Sequence, residues 1–212
     1  MRAARLELRP PTLFRSPTIL ALGFYGIMVS IPIIAAVLLV SVRQLSAWTF
    51  VLPLLAMAVA VFLMPFGFGN PLLVRRVKRL EPPPDSSSSR FVVQLTLTPR
   101  VRTGWRATFE DADDLGWVVI SDAGVDFYGD SVSLTLPWSA SDAPRLQTSG
   151  WRGLFLCGPR VRLSTTALPN VSQIEFAERA SWTLPGSRRI AARMYQSFAR
   201  WRNACPPEPK VV

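Results

Sequence analysis

The chain has 212 residues, 49% of them hydrophobic, and a formal net charge of +10 that comes from 24 basic residues against 14 acidic ones. This length accommodates one ordinary domain besides a membrane portion and leaves no room for a second. The chain contains no histidine, which excludes the usual zinc sites and nucleophiles activated by a histidine base. The two cysteines, Cys157 and Cys205, form no ligand cluster, and a disulfide between them would be unexpected in the cytoplasm. We therefore predict no metal, no cofactor and no enzymatic activity.

Two uncharged runs, 16–42 and 44–74, are separated only by Arg43. About 20 apolar residues in a helix cross a bilayer core, and each run exceeds that length. The sequence thus predicts a two-helix transmembrane hairpin over residues 16–74, preceded by a basic tail over residues 1–15. Basic residues flank the hairpin on its outer ends and are sparse in its loop, which predicts both termini and the following domain in the cytoplasm.

Residues 75–89 are predicted to form a linker, in which four basic residues precede a stretch rich in proline and serine. The basic group admits two interpretations. It is a topology signal that stops translocation, or it is a site for anionic lipid headgroups formed by Arg75, Arg76, Lys78 and Arg79.

From residue 90 onward, short runs rich in β-branched and aromatic residues alternate with turn residues. This pattern predicts a mainly-β domain over residues 90–203, a small barrel or sandwich. The predicted strands are Phe91–Thr98, Arg102–Phe109, Gly116–Ser121, Gly124–Tyr128, Ser131–Leu136, Arg145–Thr148, Trp151–Cys157, Val161–Thr166 and Ser172–Ala177.

One helix is predicted after the strands, with Ser187 as its N-cap, and the chain then ends in a tail over residues 204–212. Its apolar residues fall on one stripe, which would close the core of the β domain. The other faces carry arginines that are either solvated or a partner or membrane-surface contact: Arg188, Arg189, Arg193 and Arg200.

Two segments carry a resemblance to a known family. The run Val119–Val125 contains an Asp-x-Gly turn, and Leu134–Ser139 contains a tryptophan after the next hairpin. Together with the membrane helices and the final helix, they resemble bacterial YcxB-like proteins, which have a pleckstrin-homology-like domain. The resemblance implies two N-terminal membrane helices before a small cytoplasmic domain in the bacterial inner membrane, and it implies no known catalysis.

An acidic group over Glu110–Asp114 does not fit the spacing of a calcium loop, so we interpret it as a solvated connection between strands. Nucleic acid is disfavoured as a partner because no recognisable nucleic-acid module is present. The expected function is a non-catalytic, membrane-anchored binding or scaffolding protein that contacts protein partners, a second copy or anionic lipid. The alternative is an accessory subunit of a larger membrane protein complex.

Overall fold

The computed structural model describes residues 3–10, 34–35, 37–38, 74–75, 77–80, 82, 88–101, 112–148, 159–181 and 184–204. Within these residues an eight-stranded antiparallel sheet is followed by one long helix, α1. The strands lie in the order β1-β5-β4-β3-β2-β8-β7-β6. Their bounds are β1 Arg5–Leu8, β2 Ser89–Thr98, β3 Asp114–Ser121, β4 Gly124–Gly129, β5 Val132–Pro137, β6 Arg145–Gln147, β7 Arg160–Ser164 and β8 Gln173–Glu178, and α1 is Leu184–Ala204.

Every strand predicted on described residues is observed, with ends shifted by one or two residues. The strands predicted over 102–109 and 151–157, the two cysteines and Arg76 lie outside the described residues. One strand was not foreseen. Residues 5–8, which fall in the predicted tail, form β1 and pair with β5 at one edge of the sheet.

The prediction of a two-helix membrane hairpin, and with it of an integral membrane protein, is wrong for the part of the chain that the structure describes. No helix in that part has both the length and the apolar composition needed to cross a bilayer. Most of residues 16–74 lies outside the described residues, and the four that are described in the first run, at positions 34, 35, 37 and 38, are helical and exposed. An uncharged run meets the length requirement for a span, but length alone does not establish a continuous helix.

Strict alternation along the strands builds the core. In β2 the odd-numbered residues Val93, Leu95 and Leu97 are fully buried on one face, and the even-numbered residues lie on the other. The same alternation in the neighbouring strands gives one apolar inner face. We call the opposite face of the sheet the outer face.

The sheet curves around this inner face. Phe127 in β4 and Phe176 in β8 are three strands apart in the sheet, about 14 Å at the usual strand spacing, yet their ring centroids are 6.2 Å apart. Beyond the end of β5, the Asp142 N–H donates to the Ser164 carbonyl at the end of β7, with 2.9 Å between the two atoms. A flat sheet would not bring these strands together, so the inner face encloses the core.

The turn between β3 and β4 explains the Asp-x-Gly pattern. Gly124 has a φ of 142°, and a Cβ at this position would lie 2.3 Å from the Leu136 carbonyl oxygen. Only glycine fits that approach. Trp138 follows β5 in a short 3₁₀ turn, is buried, and donates its indole N–H to the Ser121 carbonyl at 2.8 Å. The glycine and the tryptophan therefore both hold the turn between β3 and β4 against the end of β5.

Helix α1 covers the inner face. Ala191, Met194 and Phe198 are fully buried, and Phe198 stacks on Phe176 with 5.7 Å between ring centroids. The predicted N-cap at Ser187 is wrong, because the helix begins at Leu184 and Ser187 lies inside its first turn. Pro185 is tolerated there, since the first-turn N–H groups of a helix have no intrahelical partner.

Candidate binding surface

Two strands at one edge of the sheet, β6 and β7, bring arginines together on the outer face, and the neighbouring strand β8 adds a glutamate. In β7 the inner-face residues are Val161 and Leu163, so Arg160 and Arg162 lie on the outer face. The register places Arg145 of β6 opposite Arg162, and Arg162 opposite Glu175 of β8. Directly opposed side chains in an antiparallel pair lie on the same face with Cβ atoms about 5 Å apart. We call Arg145, Arg160, Arg162 and Glu175 the arginine ladder.

Glu175 is held by both arginines of β7. Arg162 donates to it through Nε at 2.9 Å and again through Nη2, and Arg160 donates through Nη1 at 3.2 Å. The side chains of Arg160 and Glu175 are 10% and 12% exposed, and that of Arg162 is 30% exposed. Hydrogen bonds between charged groups are the stronger kind, so this group is a defined arrangement rather than a set of loose surface charges.

The four side chains of the ladder carry excess positive charge, because they comprise three guanidinium groups and one carboxylate, which binds only Arg160 and Arg162. Arg145 lies in β6, the last strand of the described sheet, whose three residues are all exposed, and it is directly opposite the cation of Arg162. Like charges in this relation repel, and Glu175 lies on the far side of Arg162 from Arg145. An anion placed beside Arg145 would relieve the repulsion, which makes this edge chemically suited to an anionic group.

The basic character continues towards β2. Gln94, on the outer face, is fully buried, and it accepts a hydrogen bond from Arg179, the residue that follows β8. The amide of Gln94 also donates to the Thr96 hydroxyl at 3.5 Å. Arg179 thus extends the positive charge along the outer face beyond the ladder.

The predicted lipid-binding residues lie elsewhere on this face. Val77 packs on Val92 and Leu115 of the outer face, and its carbonyl accepts the indole N–H of Trp117 at 2.9 Å. Next to it, Lys78 and Arg79 are exposed in a short 3₁₀ turn. Arg75 is helical and exposed, so the three described members of the predicted group are open to solvent.

The predicted arginines of α1 are exposed: Arg188, Arg189, Arg193 and Arg200. They lie on the helix faces away from Met194 and Phe198, which pack on the inner face. Arg202, by contrast, is half-buried and donates to the Trp138 carbonyl at 2.7 Å, so it ties the end of the helix to the corner after β5. The helix arginines and the arginine ladder belong to opposite faces of the sheet.

Sequence reasoning missed the ladder, although one signal for it was present. In β7, arginine alternates with an apolar residue at positions 160–163, which already separates a basic face from an apolar one. Glu175 could not be assigned as its partner, because that assignment needs the register between β7 and β8.

The interpretation of the acidic group as a solvated connection is wrong for Asp113 and Asp114, which are both buried. Asp113 accepts the backbone N–H of Leu97 at 2.7 Å. Asp114 accepts the N–H groups of Ser131 and Val132 at 2.7 and 2.6 Å, and burial raises the pKa of this carboxyl to about 6. Both carboxylates hold backbone turns of the sheet.

Among the described residues, no group of three or more potential ligands from histidine, cysteine, aspartate and glutamate could hold a metal ion. The ladder, with three cations and one anion, has the wrong charge for a metal and the right one for an anionic partner. The chain matches no protein-family model, no curated protein and no solved structure.

Proposed function

We propose that this protein is a non-catalytic binding module that takes an anionic partner on the outer face of β6, β7 and β8. The observation that carries the proposal is the arginine ladder. It places three guanidinium groups on adjacent strands, with a single carboxylate, Glu175, on the side of Arg162 away from Arg145. Arginine is suited to this role because its planar fork binds carboxylate and phosphate in a bidentate manner.

The geometry favours Arg145 as the contact to an incoming anion. The guanidinium groups of Arg160 and Arg162 already bind Glu175, whereas β6 is exposed along its whole length. Arg145 would then contact the anion directly. The two arginines of β7, Arg160 and Arg162, would add to the positive electrostatic potential around it.

The test is binding of an oligoglutamate peptide labelled with a fluorophore to the full chain, measured by fluorescence anisotropy. Two variants with the same change in net charge are compared, Arg145→Glu in the ladder and Arg193→Glu on α1. We expect Arg145→Glu to weaken binding at least about tenfold and Arg193→Glu to change it less than about twofold, since a local charge pair contributes far more than a remote one.

Equal losses in the two variants would show attraction to the net charge of the chain and would contradict the proposal. A loss confined to Arg193→Glu would assign the partner to α1 instead. Vesicles that contain phosphatidylserine and a single-stranded oligonucleotide serve as parallel probes, and preferential binding of either one would identify a different anionic partner.

The described residues show an antiparallel β sheet with a terminal helix on its inner face, and the more specific expectation of a pleckstrin-homology-like domain stays a prediction. The alternative function, an accessory subunit of a membrane protein complex, depended on a hairpin that docks against other helices. No described contact tests it, and it stays a prediction, as does the location at the cytoplasmic membrane.

A further inference from the structure

We infer that the anionic partner is an extended acidic peptide that adds to the sheet as a further strand beside β6. This inference rests on the proposed function, which gives the sign of the partner's charge, and adds its conformation and its sequence pattern.

The first step is the position of β6. It is the last strand in the order of the described sheet and pairs with β7 on one side only. Its three residues Arg145, Leu146 and Gln147 are all exposed. The second edge of an end strand presents backbone N–H and C=O groups that another extended chain can pair with.

The second step is the pattern that such a strand requires. Arg145 and Gln147 lie on the outer face with the ladder, and Leu146, which is 43% exposed, lies on the inner side. A strand paired with β6 places its own residues alternately on these two faces. Acidic residues would therefore lie opposite Arg145 and Gln147, and an apolar residue between them would cover Leu146.

The third step is a comparison of the two edges of the described sheet. At the opposite edge, β1 has the same alternation, with Leu6 packed towards the core and charged residues outwards. Both arginines there are paired with a carboxylate, because Glu7 forms ion pairs with Arg5 and with Arg9, the residue after the strand, at 2.7 Å in each case. Strand β6 itself contains no acidic residue, and its Arg145 lies opposite the cation of Arg162, so charge complementarity selects the β6 edge among the described strands.

The same comparison argues against a second copy of this chain as the occupant. The edge strand β1 of a second copy contains Arg5 and a single glutamate, Glu7, and Arg9 follows directly after it. Placed beside β6, it would bring cations next to Arg145. An acidic peptide of different sequence would place carboxylates next to Arg145 and is therefore the better occupant of this edge.

The experiment uses three peptides with the same number of glutamate and valine residues and the full chain as receptor. One alternates glutamate with valine, one carries the glutamates in a block followed by the valines, and one is the alternating peptide N-methylated at every second amide on the edge that would face β6. The expected result is that the alternating peptide binds at least about tenfold more tightly than the other two, and that Arg145→Glu abolishes this preference.

Equal affinity of the three peptides, each still weakened by Arg145→Glu, would overturn strand addition and leave the anionic binding surface intact. Affinities that do not respond to Arg145→Glu at all would overturn the proposed function as well. Isotope-edited infrared spectra of the bound alternating peptide provide the second readout, since a strand added to a sheet shows the amide frequency of β structure and a disordered polyanion does not.

Discussion

Single side chains with buried charge define the corners of this fold. Asp114 accepts three backbone N–H groups, from Leu115, Ser131 and Val132, and so fixes the turn between β4 and β5 to the start of β3. A cluster of acidic residues in sequence is usually solvated, which is why the sequence favoured a loop there. Their burial could not be predicted, because it depends on backbone groups that lie 17 and 18 residues away.

Asp114 should contribute more to stability in mild acid than at neutral pH. Its pKa is raised from 3.8 to about 6 by burial, so between these values the folded state keeps a proton that the unfolded state has lost. The contribution of Asp114 to the free energy of unfolding therefore falls as pH rises through this window, by about 3 kcal/mol at 1.36 kcal/mol per pKa unit. Urea unfolding of the wild type and Asp114→Asn at pH 4, 5, 6 and 7 measures the effect. The free energy of unfolding of the wild type minus that of the variant should increase as pH falls from 7 to 4.

Two features keep that comparison interpretable. The asparagine introduced by Asp114→Asn would still fill the site but would offer an N–H₂ group to backbone donors, so the variant should be less stable at every pH by about 1–3 kcal/mol. The matched control is Asp122→Asn in the exposed turn between β3 and β4, which removes one negative charge without touching this site. Parallel stability curves for the wild type and Asp114→Asn would show that the carboxyl does not titrate in the window.

At the scale of elements, the periodicity of apolar residues predicted α1 and the strands that are adjacent along the chain. The spacing of Ile190, Met194, Phe198 and Trp201 predicted a stripe, and Met194 and Phe198 are buried on the inner face. The start of the helix was missed by four residues, because Ser187 resembles an N-cap and predicts a helix that begins at residue 188, whereas it begins at Leu184. In the structure its hydroxyl is buried and has no hydrogen-bond partner among the described residues.

Phe198 should contribute more to stability than any exposed residue of α1. Its ring meets Phe176 at 5.7 Å and Trp138 at 6.2 Å in an edge-to-face contact, so truncation leaves a cavity between the helix and the sheet. We expect Phe198→Ala to lower the free energy of unfolding by about 3–5 kcal/mol. Arg193→Ala, on the exposed face of the same helix, should change it by less than about 0.5 kcal/mol. Urea unfolding at pH 7 distinguishes the two, and similar values would mean that α1 does not close the core.

Strand β1 could not be predicted from the local sequence pattern. Four residues with alternating leucines carry little signal on their own, and the partner strand β5 lies more than 120 residues downstream. Leu6 packs against the core, whereas Leu8 in the same strand is 55% exposed. We expect Leu6→Ser to lower the free energy of unfolding by about 1–2 kcal/mol and Leu8→Ser by less than about 0.5 kcal/mol. Equal effects, measured by urea unfolding, would show that β1 adds nothing to the core.

At the scale of the whole molecule, the sequence predicts the net charge but not how the charged side chains are distributed over the surface. The excess of ten positive charges was assigned to membrane topology and to the final helix. The structure instead separates two sets of arginines, an exposed one on α1 and the ladder across β6 and β7, in which only Arg145 is exposed. That separation depends on strand order and register, both of which are long-range properties. The hairpin prediction failed for a related reason, because hydropathy is a property of sequence windows and carries no contact information.

This distribution makes salt a test of which charges bind the partner. The Debye length is about 8 Å at 0.15 M ionic strength and about 3 Å at 1 M, so exposed charges such as Arg193 are screened first, while close pairs persist longer. As salt rises, oligoglutamate affinity for the wild type should fall, and the remaining difference between Arg193→Glu and the wild type should vanish. The ratio of wild-type to Arg145→Glu affinity should decline more slowly, because an anion in contact with Arg145 lies within a few ångströms of it. Anisotropy titrations across this range measure both ratios, and ratios that collapse together would mean that the net charge of +10, rather than the ladder, attracts the peptide.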